Sequence, residues 1–172
     1  MKKSSVYGIL ASFLAFVSLA ACCELILRLT GYGDAQNIVT SDPYLGYRLS
    51  PGTHAKLLGV EVGVSKQGFR DRLHDIQKEP GRERFVFVGD SQTLGHGVRP
   101  EEAFPQRVAD SAGVETINMG CPGWGPDQYL LFLEHYGLEY RPDVAVMAVS
   151  IGSDLSDLLD PLDDKFIVDK FS

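Results

Sequence analysis

The sequence predicts an α/β fold built on a parallel sheet. Short apolar runs typical of strands alternate with segments of helical periodicity, and the connections between them are short. Strands joined through helices form parallel sheets by crossover connections. The strand patterns cover residues 85–88, 114–117 and 144–149, and the helical patterns cover 104–112 and 128–136. The expected architecture is therefore a three-layer sandwich of the flavodoxin-like kind.

The first element along the chain is an apolar segment at the amino terminus. Residues 6–23 contain no charged residue, Lys2 and Lys3 precede them, and residues 25–29 extend the apolar stretch beyond Glu24. This length is sufficient for a transmembrane helix, and the lysines favour a cytoplasmic amino terminus. We expect residues 1–30 to form a membrane anchor, with the remainder of the chain outside the cytoplasm, in the periplasm or at the cell surface.

Two other arrangements of the amino terminus remain open. A basic start, an apolar centre and small residues near Ala20 and Ala21 are also typical of a cleaved signal peptide. The tetrapeptide Leu19-Ala20-Ala21-Cys22 resembles a bacterial lipobox, in which Cys22 would carry the lipid. All three arrangements export the following domain.

Residues 31–81 form the next segment, which is rich in Gly, Pro, Asp and Ser. The alternation of Val60, Val62 and Val64 predicts a small β-hairpin or extended strands in a juxtamembrane segment that covers part of the domain. Within it, Phe69 is expected either to insert into the core, with Arg70 pairing with a carboxylate, or to lie with Arg70 in a solvated turn.

The strand pattern 85–88 ends in Gly89-Asp90-Ser91, which makes Ser91 the first candidate nucleophile. Asn118-Met119-Gly120 follows the second strand pattern, and Gly152-Ser153-Asp154 follows the third. The carboxyl ends of parallel strands meet at one edge of the sheet, where open α/β sheets hold their ligands. We therefore expect three loops to converge on one site.

Ester hydrolysis by a serine needs a base for its proton and N–H donors for the oxyanion. We expect Ser91 to attack, the backbone N–H groups of Ser91 and Gly120 to form the oxyanion hole, and Ser153 to add a side-chain donor. Gly120 also permits close backbone approach. The nucleophile elbow of α/β-hydrolases is excluded, because Thr93 stands where Gly-x-Ser-x-Gly requires glycine.

These motifs resemble those of the SGNH/GDSL hydrolases, a superfamily of esterases, lipases and carbohydrate acetyl-esterases. Gly89-Asp90-Ser91 is similar to its first block, Gly120 to the glycine of its second, and residues 123–128 to the usual continuation into a helix. The resemblance covers residues 82–157. It implies a partial hydrolase domain over residues 82–172 that acts on an acyl or acetyl ester of a carbohydrate or lipid.

Two departures from the family pattern affect the expected activity. The third block normally supplies an Asn donor, and Ser153 stands in its place. The last block, Asp-x-x-His, supplies the base and its carboxylate, and no such tetrapeptide follows the third strand pattern. His96, in the nucleophile loop, is expected to pack or face solvent instead of replacing this base. We expect a truncated product, with a sheet incomplete at its carboxyl end.

Composition excludes several other function classes. The formal net charge of −7, with scattered basic residues, is unfavourable for nucleic-acid binding. The three cysteines form no disulfide framework, and the four histidines lack metal-ligand spacing. We therefore expect no cofactor and no metal, and partners limited to the membrane and a small-molecule, carbohydrate or lipid ester.

Two further side chains and one segment receive structural interpretations. Asp90 is expected to stabilise its loop by accepting backbone N–H bonds. Trp124 is either a platform for an acyl or sugar group or a core residue, and the Asp-rich segment 154–169 is expected to be solvated. The alternative to an esterase is a catalytically inactive, membrane-anchored module that binds a glycan or a partner through the same loops.

Overall fold

The computed structural model describes residues 3–30 and 38–152 of the chain. Its architecture is mixed α/β, with a three-stranded parallel sheet, two antiparallel hairpins and an amino-terminal apolar helix. The segment 153–172, which includes Ser153 and the Asp-rich stretch, lies outside the described residues.

The amino-terminal helix, α1, spans Lys3–Thr30. Its segment Tyr7–Thr30 is long and apolar enough to cross a membrane and has no side chain buried against the rest of the protein. A signal sequence has the same properties. Glu24 and Arg28, the charged pair near its end, join in an exposed ion pair of 2.7 Å.

Two hairpins follow the helix. β1 (Val39–Asp42) pairs with β2 (Gly46–Leu49), and β3 (His54–Leu57) pairs with β4 (Val60–Gly63). The second hairpin confirms the one expected from the alternating valines. Both hairpins contribute to the core of the α/β domain, through the buried side chains Leu45, Leu49, Leu57 and Val62.

The parallel sheet has the strand order β6-β5-β7, with β5 in the centre. β5 spans Arg84–Gly89, β6 spans Glu115–Gly120 and β7 spans Val144–Ala148. The alternation of strand and helix patterns therefore predicted the three strands along the chain. The second strand is displaced, because Asn118-Met119-Gly120, expected in a loop, are its last three residues and Gly120 pairs in register with Gly89.

α-Helices and short 3₁₀ and π-helical turns connect these strands. α2 (Ser91–Leu94) and α3 (Phe104–Ala112) lie between β5 and β6, and α4 (Pro126–Phe132) follows β6. A π-helical turn, Leu133–Gly137, continues α4, so this connection matches the helical pattern expected over 128–136.

Helices pack against both faces of the sheet, because successive strand side chains point to opposite faces. On one face, Phe87 meets Phe104 of α3 edge to face at 5.5 Å between ring centroids. On the other, Met119 lies close to Gly137 in the π-helical turn. The core on this second face also contains Trp124, which is 1% exposed, so the core interpretation of Trp124 is the correct one.

Candidate functional site

The nucleophile candidate lies on a tight turn at the carboxyl end of the central strand. Gly89 ends β5, Asp90 caps the next helix in an extended conformation, and Ser91 is the first residue of α2. Asp90 Oδ1 accepts a hydrogen bond from the Gln92 N–H at 2.8 Å, which confirms the expected role of this carboxylate. One turn later, Gly95 ends α2 with a left-handed φ of 84°.

The polar groups of Ser91 differ in what they contact. Its carbonyl accepts hydrogen bonds from the N–H groups of Gly95 (3.1 Å) and His96 (2.9 Å). Among the residues that the structure describes, neither its hydroxyl nor its N–H has a hydrogen-bond partner. The side chain is partly exposed. The hydroxyl is therefore accessible to a ligand, and no described side chain is in place to accept its proton.

Two glycines allow α2 to lie directly on the ends of the strands. A Cβ at Gly120 would overlap the backbone nitrogen of Leu94 and come within 2.9 Å of the Thr93 Cβ. A Cβ at Gly89 would come equally close to the Thr93 Cβ. The close backbone approach expected at Gly120 is thus present, and the backbone that approaches is that of α2.

The N–H of Gly120, expected as an oxyanion donor, is engaged within the protein. It donates to Asn118 Oδ1 at 3.0 Å, while Asn118 Nδ2 donates to the Thr93 carbonyl at 2.8 Å. Gly120 itself is buried. Donation from this N–H to an oxyanion would require the Asn118 amide to turn away, and this expected role of Gly120 stays a prediction.

The connection after β6 contains Gly123, which the sequence pattern placed only in the continuation into a helix and not in a donor role. Gly123 is exposed and has a left-handed φ of 76°, and its N–H has no acceptor in the described part of the chain. The Tyr47 hydroxyl donates to the preceding carbonyl, that of Pro122, at 3.0 Å. The sequence offered one indication, the pair of glycines in Gly120-Cys121-Pro122-Gly123. Only the fold, however, brings Tyr47 to this segment.

The third expected loop is described only in part. β7 ends at Ala148, as the strand pattern 144–149 predicted to within one residue, and Gly152 lies in a turn beyond it. Ser153, the expected third oxyanion donor, is outside the described residues. The convergence of all three loops therefore stays a prediction.

The histidines of the chain do not contact the Ser91 hydroxyl. His96 lies beside the α2 turn, but its Nδ1 is buried without a hydrogen-bond partner in the described ranges, and its ring does not bond to Ser91. His135 is exposed on the π-helical turn and stacks on Tyr44 at 3.9 Å between ring centroids. His54 is exposed on β3.

His74 belongs to a buried ionic cluster at the outer edge of β6. Its Nδ1 lies 3.0 Å from Glu115 Oε1, and its Nε2 lies 3.2 Å from Asp71 Oδ2. Asp71 in turn accepts the N–H of Asn118 at 2.9 Å. Asp71-Arg72-Leu73-His74 has the Asp-x-x-His spacing ahead of the sheet, but its two polar side chains cover this edge strand, and that of His74 is fully buried.

Arg84 completes this cluster by donating from Nε to Glu115 Oε2 at 2.8 Å. Burial alone would raise the pKa of Glu115, but the hydrogen bonds from Arg84 and His74 and their charges outweigh it. The pKa of Glu115 is consequently lower than its ordinary value. The cluster thus holds the segment before β5 against the sheet through charged groups.

Arg70 is buried, but it does not pair with a carboxylate as expected. Its guanidinium donates to the backbone carbonyls of Leu94 and Val98, at 3.0 and 2.7 Å. Burial lowers its pKa, and the nearby charge of Glu101 only partly offsets this. Phe69 enters the core, as the first of the two expectations stated. The prediction for Arg70 failed because carbonyls at the end of α2, which are 24 or more residues away in sequence, take the place of the carboxylate.

A cleft of about 500 Å³ lies beside the edge strand β6, and Ser91 is not among its lining residues. Its walls come from the segment 70–72, from α3 and from Asn118. Among the described residues, no group of three or more His, Cys, Asp or Glu side chains is placed to hold a metal ion. The nucleophile turn at the strand ends therefore does not line this cleft.

No protein-family model matches the chain. No curated protein matches it either.

Proposed function

We propose that the chain is a serine hydrolase of the SGNH/GDSL type that cleaves an acyl or acetyl ester of a carbohydrate or lipid. The observation that carries the proposal is the state of Ser91. This serine follows the central parallel strand on a tight turn, and its hydroxyl and N–H have no hydrogen-bond partner among the described residues. The sequence motifs at Gly89-Asp90-Ser91 and Gly120 support the same family.

The proposed reaction proceeds through an acyl-enzyme. Ser91 Oγ forms a bond to the ester carbonyl carbon and gives up its proton, and the alcohol then leaves with a proton. Water then attacks the acyl carbon, the bond from this carbon to Ser91 Oγ breaks to release the carboxylic acid, and a proton from the water returns to Ser91 Oγ. Each step needs a proton carrier. No described side chain accepts from Ser91 Oγ, so the full rate depends on a base other than the described histidines.

Charge on the carbonyl oxygen must be stabilised by N–H donors as the bond to Ser91 forms. The N–H of Ser91 is the proposed first donor, because it is unpartnered in the described part of the chain. Gly120 and Ser153 are the further donors that the motif resemblance implies. The N–H of Gly123, an exposed residue in the connection after β6, is an additional candidate, since it has no acceptor among the described residues, whereas the N–H of Gly120 at the end of β6 is engaged.

We further propose that the domain acts outside the cytoplasm, in the periplasm or at the cell surface, tethered by α1. Support comes from the apolar segment Tyr7–Thr30, together with the two lysines that precede it in the sequence. A tethered esterase of this kind would meet its substrate at or near a membrane surface.

Labelling of Ser91 tests the proposed function. A fluorophosphonate probe is expected to label the purified full chain, and Ser91→Ala is expected to abolish both labelling and hydrolysis of a short p-nitrophenyl ester. Ser111→Ala is a matched control, because Ser111 is exposed and its hydroxyl bonds only to carbonyls of its own helix. Labelling that persists in Ser91→Ala would reject the nucleophile.

One observation favours a second candidate, an inactive anchored module that binds a glycan or a partner. No described side chain accepts a proton from Ser91, and loss of a general base typically lowers rates by about 10² to 10⁴. This candidate expects no labelling of Ser91 by the probe but measurable retention on immobilised polysaccharide. Labelling of Ser91 in the wild-type chain would exclude it.

A further inference from the structure

We propose that Arg70 is a positioning residue for Ser91, which it holds by fixing the end of α2. The inference rests on the proposed function, in which Ser91 is the nucleophile. It concerns a residue 21 positions earlier in the sequence, outside the motifs that identify the nucleophile turn.

The guanidinium of Arg70 contacts backbone carbonyls at the end of α2 and in the loop after it. One terminal nitrogen donates to the carbonyls of Leu94, at 3.0 Å, and Gly95, at 2.5 Å. The other donates to the Val98 carbonyl at 2.7 Å. The last carbonyls of a helix have no partner within that helix, and a planar guanidinium can serve several of them at once. Arg70 therefore caps α2 from outside the helix.

These carbonyls lie only a few hydrogen bonds from the nucleophile. α2 is a single turn, with Ser91 as its first residue and Gly95 as its cap. The Gly95 N–H donates to the Ser91 carbonyl at 3.1 Å, and its own carbonyl accepts from Arg70. Two hydrogen bonds thus connect the guanidinium to the backbone of Ser91. A shift of Gly95 would displace the serine.

The backbone that carries Arg70 is anchored in the core. Phe69, next to Arg70, is buried against Phe132 and Tyr140, with ring centroids 6.1 and 5.5 Å apart. The backbone of residue 70 is therefore attached to the core independently of α2. Arg70 transmits this fixed position to the helix end, while Asp90 fixes the helix start.

The positive charge of Arg70 lies in an unfavourable, buried environment. Arg70 is 3% exposed, and no carboxylate lies within ion-pair distance of it in the described residues. A buried charge is costly unless it is well hydrogen-bonded. Here the bonds go almost entirely to the segment that carries Ser91 and its following loop. A buried charge in this place is explained if it serves to fix the geometry of the segment that carries Ser91.

The test compares Ser91 labelling rates in full-length variants. Arg70→Lys keeps the charge but loses the fork of donors, and Arg70→Gln keeps one amide donor without the charge. We expect each to label on the order of 10 to 100 times more slowly than wild type, since small displacements of a reacting group cost about this much. With a p-nitrophenyl ester, the loss should fall on kcat and leave KM nearly unchanged.

Two controls separate positioning from folding. Arg82→Met removes another arginine that donates to a backbone carbonyl, that of Val114, away from α2, and it should label at the wild-type rate. Ethylguanidinium should accelerate labelling of Arg70→Ala but not of wild type, which a merely structural role would not produce. If one Arg70 variant fails to unfold cooperatively on heating, the other variant and the rescue still decide.

The outcomes distinguish this proposal from the proposed function. If wild type is not labelled at Ser91, the nucleophile is wrong and the positioning role is rejected with it. If wild type is labelled and a folded Arg70→Lys or Arg70→Gln labels equally fast, the nucleophile stands and the positioning role alone is rejected. Slow labelling without rescue by ethylguanidinium would also overturn the positioning role.

Discussion

Asn118 joins the edge strand β6 to Thr93 of the nucleophile helix. Its Nδ2 donates to the Thr93 carbonyl at 2.8 Å, and its Oδ1 accepts the N–H of Gly120 at 3.0 Å. Both ends of one buried amide are thus used, one as a donor and the other as an acceptor. Only an amide side chain of this length offers both functions here, which makes the site sensitive to the smallest change of chemistry.

Asn118→Asp tests this amide, because it changes one donor into an acceptor at constant shape. The carboxylate can still accept from Gly120 but faces the Thr93 carbonyl without a proton to share. We expect the free energy of unfolding to fall by about 1–3 kcal/mol, the usual loss for an unsatisfied buried polar group. Urea denaturation at pH 7 measures it. Gln106→Glu, on an exposed amide that bonds to Asp110, is the control and should change it far less.

Gly120→Ala tests the close packing of α2 on the strand ends. The added Cβ would overlap the Leu94 nitrogen, a backbone atom that cannot rotate away. We expect a loss of about 1–3 kcal/mol in the free energy of unfolding, typical of overpacking, and slower labelling of Ser91. Gly152→Ala adds the same methyl group where no atom of the described residues lies within 4 Å, and it should be neutral. Equal stability of the two variants would contradict the packing described.

The sequence predicted the three sheet strands because their apolar runs are local. Its main error concerned Asn118-Met119-Gly120, which have the composition of a loop. These residues extend β6 because the parallel ladder continues until Gly120 pairs with Gly89, and this pairing depends on a strand 31 residues away. Glycine in a strand end marked close approach, as inferred, but the partner was invisible to local patterns.

The surroundings of Ser91 were less predictable than its position. The turn Gly89-Asp90-Ser91 follows from an apolar run that ends in small and polar residues. The contacts of Arg70 with carbonyls at the end of α2 and in the following loop span 24 to 28 residues, and no pattern distinguishes them from an ion pair or a solvated turn. Such contacts are specified by tertiary packing, and the packing of Phe69 decides these.

The membrane association of α1 is testable by fractionation. The full chain is expected to remain with membranes after alkaline carbonate extraction, because Tyr7–Thr30 is long enough to span a bilayer. Removal of residues 1–30 should release the domain. Cys22→Ser separates the anchor from a lipoprotein: it leaves an uncleaved anchor in the membrane with the expected mass but prevents lipid attachment. Recovery of a shortened, lipid-free chain in the soluble fraction would support a cleaved signal instead.

The ionic cluster at Glu115 predicts a loss of stability in acid. The folded-state pKa of Glu115 is lowered, so the native protein binds this proton less readily than the unfolded chain. Its stabilisation is complete above the ordinary glutamate pKa of about 4.3 and is lost as the pH falls through the lower folded value. Arg84 and His74 are the cationic and titratable groups that face it, with Asp71 on the far side of His74.

Glu115→Gln measures this contribution. At pH 7 we expect it to lower the free energy of unfolding by about 3 kcal/mol, since it leaves Arg84 buried without its charge partner. The difference from wild type should shrink as the pH falls below about 4.3 and through the lower folded pKa of Glu115, because wild type then loses the same interaction. Glu134→Gln, on an exposed side chain, is the control. A difference that stays constant between pH 7 and pH 3 would contradict the assignment.

His96→Gln decides whether the histidine nearest to Ser91 in sequence serves as its base. The His96 ring does not bond to the Ser91 hydroxyl, and its Nδ1 is buried without a partner in the described ranges. We therefore expect labelling of Ser91 to proceed at the wild-type rate in His96→Gln and to keep the same dependence on pH between 5 and 9. If His96 were the general base, His96→Gln would instead label at least about 10²-fold more slowly and would lose the pH dependence that the base imposes on labelling.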